Sequence, residues 1–303
     1  MNGLSKLCTC ALIVVTTLVS SGCGVKLAYN NGDRLVRWWV DDYIDMTGEQ
    51  RTYLNAATND LLYWHRTNEL EGYRQVFLQL ADNAYNPQLQ TQQPLTAPQL
   101  QELIAQFEDW GMRIGERAIP IAVQMLLSLS SAQLEEFAAN LEEENVEYLE
   151  EAQQDPEERA QEMAKDYRKF VSRLVGRLTT QQRQLVLDHH ARLVIFEMET
   201  VAFRRQWLRQ VEAAVSAQPP AREKLAELLW LDEEDYPEEF QAVFERNEEV
   251  YQGLTLDLLN SLNTKQRKRF QQRLRTLAKI CQELIDEAGN PPVAPQPLVP
   301  EPD

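Results

Sequence analysis

Residues 167–183 read YRKFVSRLVGRLTTQQR, and residues 251–267 read YQGLTLDLLNSLNTKQR. Each segment carries apolar residues at three- and four-residue spacing, reaches a Leu, and restarts at a Thr or Asn followed three positions later by Gln. The first part has the period of a helix that buries one face. The second is a capping box. The Thr or Asn oxygen accepts from a first-turn amide while the Gln reaches back to the amide of the cap, so two donors that a helix start leaves orphaned are satisfied. One helix packs, the chain turns sharply, and the next helix begins.

The same start recurs at Met46-Thr47-x-x-Gln50, Leu95-Thr96-x-x-Gln99 and Leu129-Ser130-x-x-Gln133, beside Leu178-Thr179-x-x-Gln182 and Leu262-Asn263-x-x-Gln266. An apolar or aromatic residue follows each cap at Leu54, Leu103, Phe137, Val186 and Phe270. Thr47 to Ser130 and Thr96 to Thr179 are each 83 positions, and Thr179 to Asn263 is 84, which predicts a degenerate repeat of helical hairpins about 83 residues long. Leu, Ala, Glu, Gln and Arg dominate the rest and alternating strand patterns are scarce, so the fold class is all-α, as stacked hairpins or a bundle.

Helices are expected over 27–45, 48–66, 69–84, 97–127, 131–154, 157–176, 180–216, 221–230, 238–261 and 264–288. Asn86-Pro87 with Pro94, Asp155-Pro156, Pro219-Pro220 and Tyr236-Pro237 mark the breaks, and Pro120 is expected to kink its helix because it removes a backbone donor. Residues 289–303 carry six prolines and almost no large apolar side chain, the composition of a disordered tail.

The N-terminus, MNGLSKLCTCALIVVTTLVSSGC, has one basic residue, Lys6, and then an uncharged stretch from Leu7 to Val19. That is the layout of a signal peptide over residues 1–22. As a helix the stretch spans about 20 Å, short of the roughly 30 Å hydrocarbon core of a bilayer. Small residues Ser20, Ser21 and Gly22 precede Cys23, and VSSGC resembles the lipobox of bacterial lipoproteins, with Ser20 where Leu is preferred. The resemblance implies lipid on Cys23 and cleavage before it, leaving residues 23–288 as a helical periplasmic domain. Several acyl chains hold a soluble domain durably where one does not. Gly24, in a place where Asp resembles an inner-membrane retention signal, points to the outer membrane.

The formal charge of −17 and a pI near 4.7 disfavour nucleic acid and anionic lipid surfaces as partners. After loss of Cys8 and Cys10 and lipidation of Cys23, Cys281 alone remains, so no intramolecular disulfide forms. Its neighbours Leu277, Ile280 and Leu284 mark it as a small buried hydrophobe.

Two likenesses follow. The L-[ST]-x-x-Q starts resemble the signature of the LTXXQ-motif family of periplasmic stress chaperones, which implies binding of unfolded clients. More of the chain, KLAYNNGDRLVRWWVDDYIDMTGEQR from Lys26 and LLYWHRTNELEGY from Leu61, is similar to a family of uncharacterised proteobacterial lipoproteins. That likeness implies location and architecture and carries no activity.

Candidate interaction residues are Trp38, Trp39 and Tyr43, beside the anchor, and Trp64, His65 and Arg66. Successive tryptophans point to different helix faces, so one belongs to the core and the other to a membrane or partner contact. Arg34 and Arg37 stand at helical spacing to pair with Asp41. Glu69 and Tyr73 lie within helical reach of the Trp64–Arg66 segment, which reads as a hydrogen-bonded structural cluster. His189 and His190 lack helical metal-ligand spacing, and Glu197 and Glu199 reach His190 only through another turn or helix. The acidic runs at 142–151 and 232–235 read as solvated faces. No phosphate loop, dinucleotide fingerprint or nucleophile elbow is present, so no cofactor, metal or small-molecule substrate is expected. The reading is a non-enzymatic interaction or structural module anchored through Cys23 with an envelope protein as partner, against a chaperone of LTXXQ type and an enzyme using the Tyr63–Tyr73 cluster.

Overall fold

The computed structural model describes residues 22–85, 94–230 and 236–300. The signal segment up to residue 21, the Asn86-Pro87 loop, the acidic run at 232–235 and the last three residues lie outside the described residues. Among the described residues there are twelve helices and no strand. In chain order they are α1 (Gly22–Asn30), α2 (Gly32–Asp41), α3 (Gly48–Asn68), α4 (Leu70–Ala84), α5 (Ala97–Leu127) and α6 (Ser131–Ala152). The second half holds α7 (Pro156–Val175), α8 (Thr180–His190), α9 (Glu197–Ser216), α10 (Arg222–Leu229), α11 (Glu238–Asn260) and α12 (Thr264–Asp286). Pro120 sits inside α5, which continues through it as one helix.

Four of the five capping boxes form as read and meet in pairs, whereas at Thr96 the Gln99 oxygen accepts both the cap amide at 3.1 Å and the Thr96 hydroxyl at 2.9 Å. The Gln50 and Gln133 side chains bond to each other, Nε2 of Gln133 to Oε1 of Gln50 at 2.8 Å and the reverse at 3.3 Å. Gln182 and Gln266 do the same at 3.1 and 2.8 Å. Each Gln oxygen also accepts its own cap amide, at Thr47, Ser130, Thr179 and Asn263. Each Gln nitrogen also donates to a main-chain carbonyl of the opposing turn: Gln50 to Ser128, Gln133 to Asp45, Gln182 to Ser261 and Gln266 to Arg177. All four glutamines are buried, and this closed set leaves none of their amides unpaired, the condition for burying a polar group without penalty.

The 83 positions from Thr47 to Ser130 and the 84 from Thr179 to Asn263 are therefore each the separation of two helix starts within one docked pair, the 83 from Thr96 to Thr179 join no such pair, and the period of the molecule is longer. Gln50 to Gln182 is 132 positions and Gln133 to Gln266 is 133. The cores correspond at that offset. Met46, Leu54 and Met125 pack with Leu129 and Phe137 in the first half. Leu178, Val186 and Leu258 pack with Leu262 and Phe270 in the second. Thr96 heads the one box outside the pairs, and its preceding residue Leu95 is held by Asn260, whose side-chain amide bonds both Leu95 main-chain groups at 2.8 and 3.0 Å.

The halves are interlocked: α4 lies along α12 of the second half, and its counterpart α9 lies along α6 of the first. Two further clusters seal them, one where α5 meets α9 and α10, the other where α1 and α4 meet α12. The expected helix over 180–216 is broken between α8 and α9, because Asn247 takes both main-chain groups of Val194 at 2.8 and 3.0 Å and holds that peptide out of a helix. The span 27–45 is likewise split at Asn31. Residues 289–300 follow an irregular path in which Leu298 packs on the first core and Val299 exchanges two bonds with the Gln124 side chain, at 3.2 and 3.0 Å. Proline-rich composition is read as disorder, and it overlooks this clamp because the partner lies 175 positions upstream.

Candidate functional site

Trp64, His65 and Arg66 stand on the last turns of α3, where α1, α4 and α5 converge. The His65 ring lies between two phenols, with Nδ1 2.7 Å from the Tyr29 hydroxyl and Nε2 3.2 Å from the Tyr73 hydroxyl. Burial pushes its pKa down to about 4 in spite of nearby Glu69, so the ring is neutral at pH 7, with one nitrogen donating and the other accepting. Burial pushes the Tyr29 hydroxyl up, so it stays protonated. Arg66 bonds Asn30 at 2.8 Å and lies over the Tyr29 ring, and the Arg117 guanidinium sits 4.6 Å from the Trp64 ring centre.

Glu69 is buried and takes Arg113 in two bonds, at 3.0 and 2.7 Å. Tyr73 packs against Trp110 with ring centroids 4.2 Å apart and the planes tilted by 51°. Cys281 adjoins the cluster in the same apolar core, and burial raises its thiol to about 11, which keeps it protonated and a poor nucleophile. These contacts tie four helices together.

Trp38, Trp39 and Tyr43 lie apart from one another in role. Trp38 is 67% exposed, while Trp39, 39% exposed, leans edge-on against Tyr43. The Tyr43 hydroxyl donates to Glu144, and its carbonyl accepts from Asn140 at 2.9 Å. A polar cleft of about 290 Å³ opens there between Trp39 and the acidic face of α6. That face is neutralised in part by α9: Arg204 pairs with Glu144, and Arg205 with Glu142, holding the Glu142 carboxyl down to about 2. Asp41 pairs with Arg51 at 3.0 Å, not with Arg34 or Arg37, because the turn after α2 brings the start of α3 beside it.

His189 and His190 are buried in the second core. His189 meets the Val250 carbonyl at 3.2 Å and the Asp257 carboxylate at 3.1 Å, and His190 meets the Val186 carbonyl at 2.8 Å. Glu197 pairs with Arg159 instead of His190. Among the described residues no group of three or more His, Cys, Asp or Glu is placed to hold a metal ion.

One concave feature was missed by sequence reading. It is an open groove of about 1100 Å³ between α5, α9 and α10, with Phe203, Trp207, Trp230 and Tyr236 as its aromatic lining. Pro120 and Pro237 continue the apolar surface, and Glu116, Glu223, Glu227 and Lys224 stand at its polar parts. Trp207 is fixed by a 2.7 Å bond from its indole nitrogen to the Leu228 carbonyl. The groove draws on three segments distant in sequence. The signal that was available is the density of aromatics from Phe203 to Tyr236 around short α10, too little helix to bury them all.

Residues 42–241 match a family of unknown function, DUF6279. The chain belongs to this family. The DUF6279 match takes in every residue that lines the groove and the first glutamine pair, and it begins after Trp38 and Trp39 and ends before α12. No curated protein matches the chain, and no solved structure does.

Proposed function

We propose that this DUF6279 protein is a lipoprotein of the bacterial envelope, held by lipid on Cys23 at the periplasmic face of the outer membrane, and that it works as a non-enzymatic binding module. The observation that carries the binding reading is the open aromatic groove between α5, α9 and α10. Apolar concave surfaces with a few fixed polar groups are the usual form of a binding site. Its aromatic lining and the carboxylates of Glu116, Glu223 and Glu227 suit an apolar peptide segment flanked by cationic groups. Four of the five glutamines of the LTXXQ-like starts are engaged in helix docking, which favours an architectural reading of that likeness.

The reading is tested in two steps. Intact mass of the membrane-extracted protein should show a chain beginning at Cys23 with acyl mass, absent from Cys23→Ala; a soluble chain beginning elsewhere removes the anchor. A photo-reactive benzophenone residue at Gln206 or Gln210, both exposed at the groove, should then give a discrete cross-linked partner in cells. The same residue at exposed Lys279 should not, and Trp230→Ala should abolish the product. Equal products from all three positions, or products indifferent to Trp230, defeat the groove as the binding surface.

A further inference from the structure

Helices α1 and α2 have one packed face. Val25 and Tyr29 join the core of Leu70 and Leu284, Lys26 pairs with Glu283 and Glu287, and Val36 and Val40 join the core of Ile44 and Leu54. Gly32 sits so close to Leu62 that a Cβ would come within 2.9 Å of its methyl carbon, which presses the pair against α3.

The opposite face carries Leu27 at 66% and Trp38 at 67% exposure, with Asn30 and Arg34 exposed between them. Positions 23, 27, 30, 34 and 38 follow one another by four, three, four and four, which is one stripe of a helix. The Asn31 amide bonds to Leu27 and Ala28 carbonyls and the Leu35 amide to the Asn31 carbonyl, carrying the helical path across the break. From position 23 to position 38 the stripe runs about 22 Å, at roughly 1.5 Å per residue.

The geometry points to this stripe as a second, non-covalent membrane contact: α1 and α2 lie flat on a zwitterionic bilayer, with Leu27 and Trp38 in the interface and Arg34 at a lipid phosphate. The inference rests on the lipoprotein reading, since position 23 heads the stripe. Acyl chains there hold one end at the surface, and Trp38 sits at the other, where an indole with an apolar body and a polar N–H partitions well. The charge of −17 selects a zwitterionic surface over an anionic one. The sequence left open which of the two tryptophans faces outward; the packing of Trp39 on Tyr43 assigns that place to Trp38.

The test uses the purified full-length lipidated protein in phosphatidylcholine vesicles containing brominated phosphatidylcholine, which quenches only indoles at lipid depth. Wild type should be quenched, and Trp38→Phe should lose about half or more of that quenching, while Trp39→Phe keeps it. Leu27→Ser should reduce it. Flotation with the vesicles separates the two failures. A protein that does not float has lost the anchor and fails the lipoprotein reading. One that floats with quenching indifferent to Trp38, or with Trp38 cross-linking to a second copy or another protein, overturns the membrane contact alone.

Discussion

In the first half α6 is capped by Ser130 and docks through Gln133, and in the second α12 is capped by Asn263 and docks through Gln266. The docking is the same, yet α6 is rich in Glu and α12 in Lys and Arg. Each accepts a helix of the other half by complementary contacts. Glu142 and Glu144 of α6 take Arg205 and Arg204 of α9. On α12, Arg275 takes Asp82, and Gln271 donates to the Ala81 and Tyr85 carbonyls around the end of α4. The buried amides set how two helix starts meet, and the surface charge sets which helix lies beside which. Exposed pairs contribute little stability each, about 0–1 kcal/mol, so their role here is discrimination.

The largest expected effects fall on the shared element. Gln182→Ala strips a bond from the Thr179 amide and leaves the buried Gln266 amide short of two partners. At about 1–3 kcal/mol for each buried group left unsatisfied, unfolding in denaturant should show a loss of about 3 kcal/mol. Gln50→Ala should cost about the same if the halves are equivalent. The double variant Gln182→Ala/Gln266→Ala should cost less than the sum of its singles by about 1 kcal/mol or more, since the second truncation removes a group the first had already orphaned. A near-silent Gln50→Ala beside a costly Gln182→Ala would show that only the second pair governs folding.

The next effects fall where corresponding positions differ. Ala57 in the first half stands where His189 stands in the second, and Gln124 where Asp257 stands. His189 fills its site and bonds Val250 and Asp257, whereas in the first half the small Ala57 packs in the core that takes Leu298, and Gln124 turns to Val299 of the tail. His189→Ala should therefore cost about 2 kcal/mol, chiefly through the void it leaves, since the Val250 carbonyl keeps its helical bond. Ala57→His should cost a similar amount through overpacking, about 1–3 kcal/mol, and should also expose the tail to protease. If Ala57→His leaves the tail protected, the tail and the histidine do not occupy equivalent space.

A smaller effect belongs to the junctions that follow α3 and α8. The first is tied by His65 between Tyr29 and Tyr73, the second by Asn247 on Val194. His65 has its folded pKa depressed to about 4 against 6.5 for the free ring, so the unfolded chain takes up its proton first as pH falls. The stability that neutral His65 contributes is complete above about pH 6.5 and is lost progressively down to about pH 4. The midpoint of thermal unfolding should fall between pH 7 and pH 5, by at least about 2 °C, and His65→Gln should flatten that part of the curve. An unchanged slope in His65→Gln would move the acid sensitivity elsewhere.

How much of this was legible follows from the range of the signals. Capping boxes are encoded within four residues, so all five starts were visible, as was the buried character of Cys281. The docking of those starts was not, because a Gln at the third helical position reads the same whether its amide nitrogen faces water or another Gln. The interruption at Val194 was invisible for a similar reason: no Pro or Gly marks it, and its cause, Asn247, lies 53 positions away. The Trp64–Arg66 segment was recognised as a structural cluster, but Tyr29 and Arg117 enter it only through the packing of α1 and α5. The groove was missed because its walls come from three segments whose aromatics each look like ordinary core.

The smallest effect tests the tail. Gln124 is buried, and its amide matches the Val299 peptide group with one donor and one acceptor, as Asn247 does for Val194 and Asn260 for Leu95. Those two clamps hold segments fixed at both ends by helices, so their bonds reinforce an order that the chain already imposes. No helix follows Val299 among the described residues, and its bonds together with Leu298 must offset the ordering of residues 289–300, at about 1 kcal/mol or more per residue. Proline lowers that cost because its φ is already fixed in the unfolded chain, which makes a proline-rich tail suited to weak docking. Gln124→Ala should thus change global stability by less than about 1 kcal/mol while raising the rate of proteolytic clipping within 289–300 several-fold. Asn247→Ala should instead cost stability without any new cleavage in the tail. Clipping that is as fast in wild type as in Gln124→Ala would mean that the clamp does not hold the tail in solution.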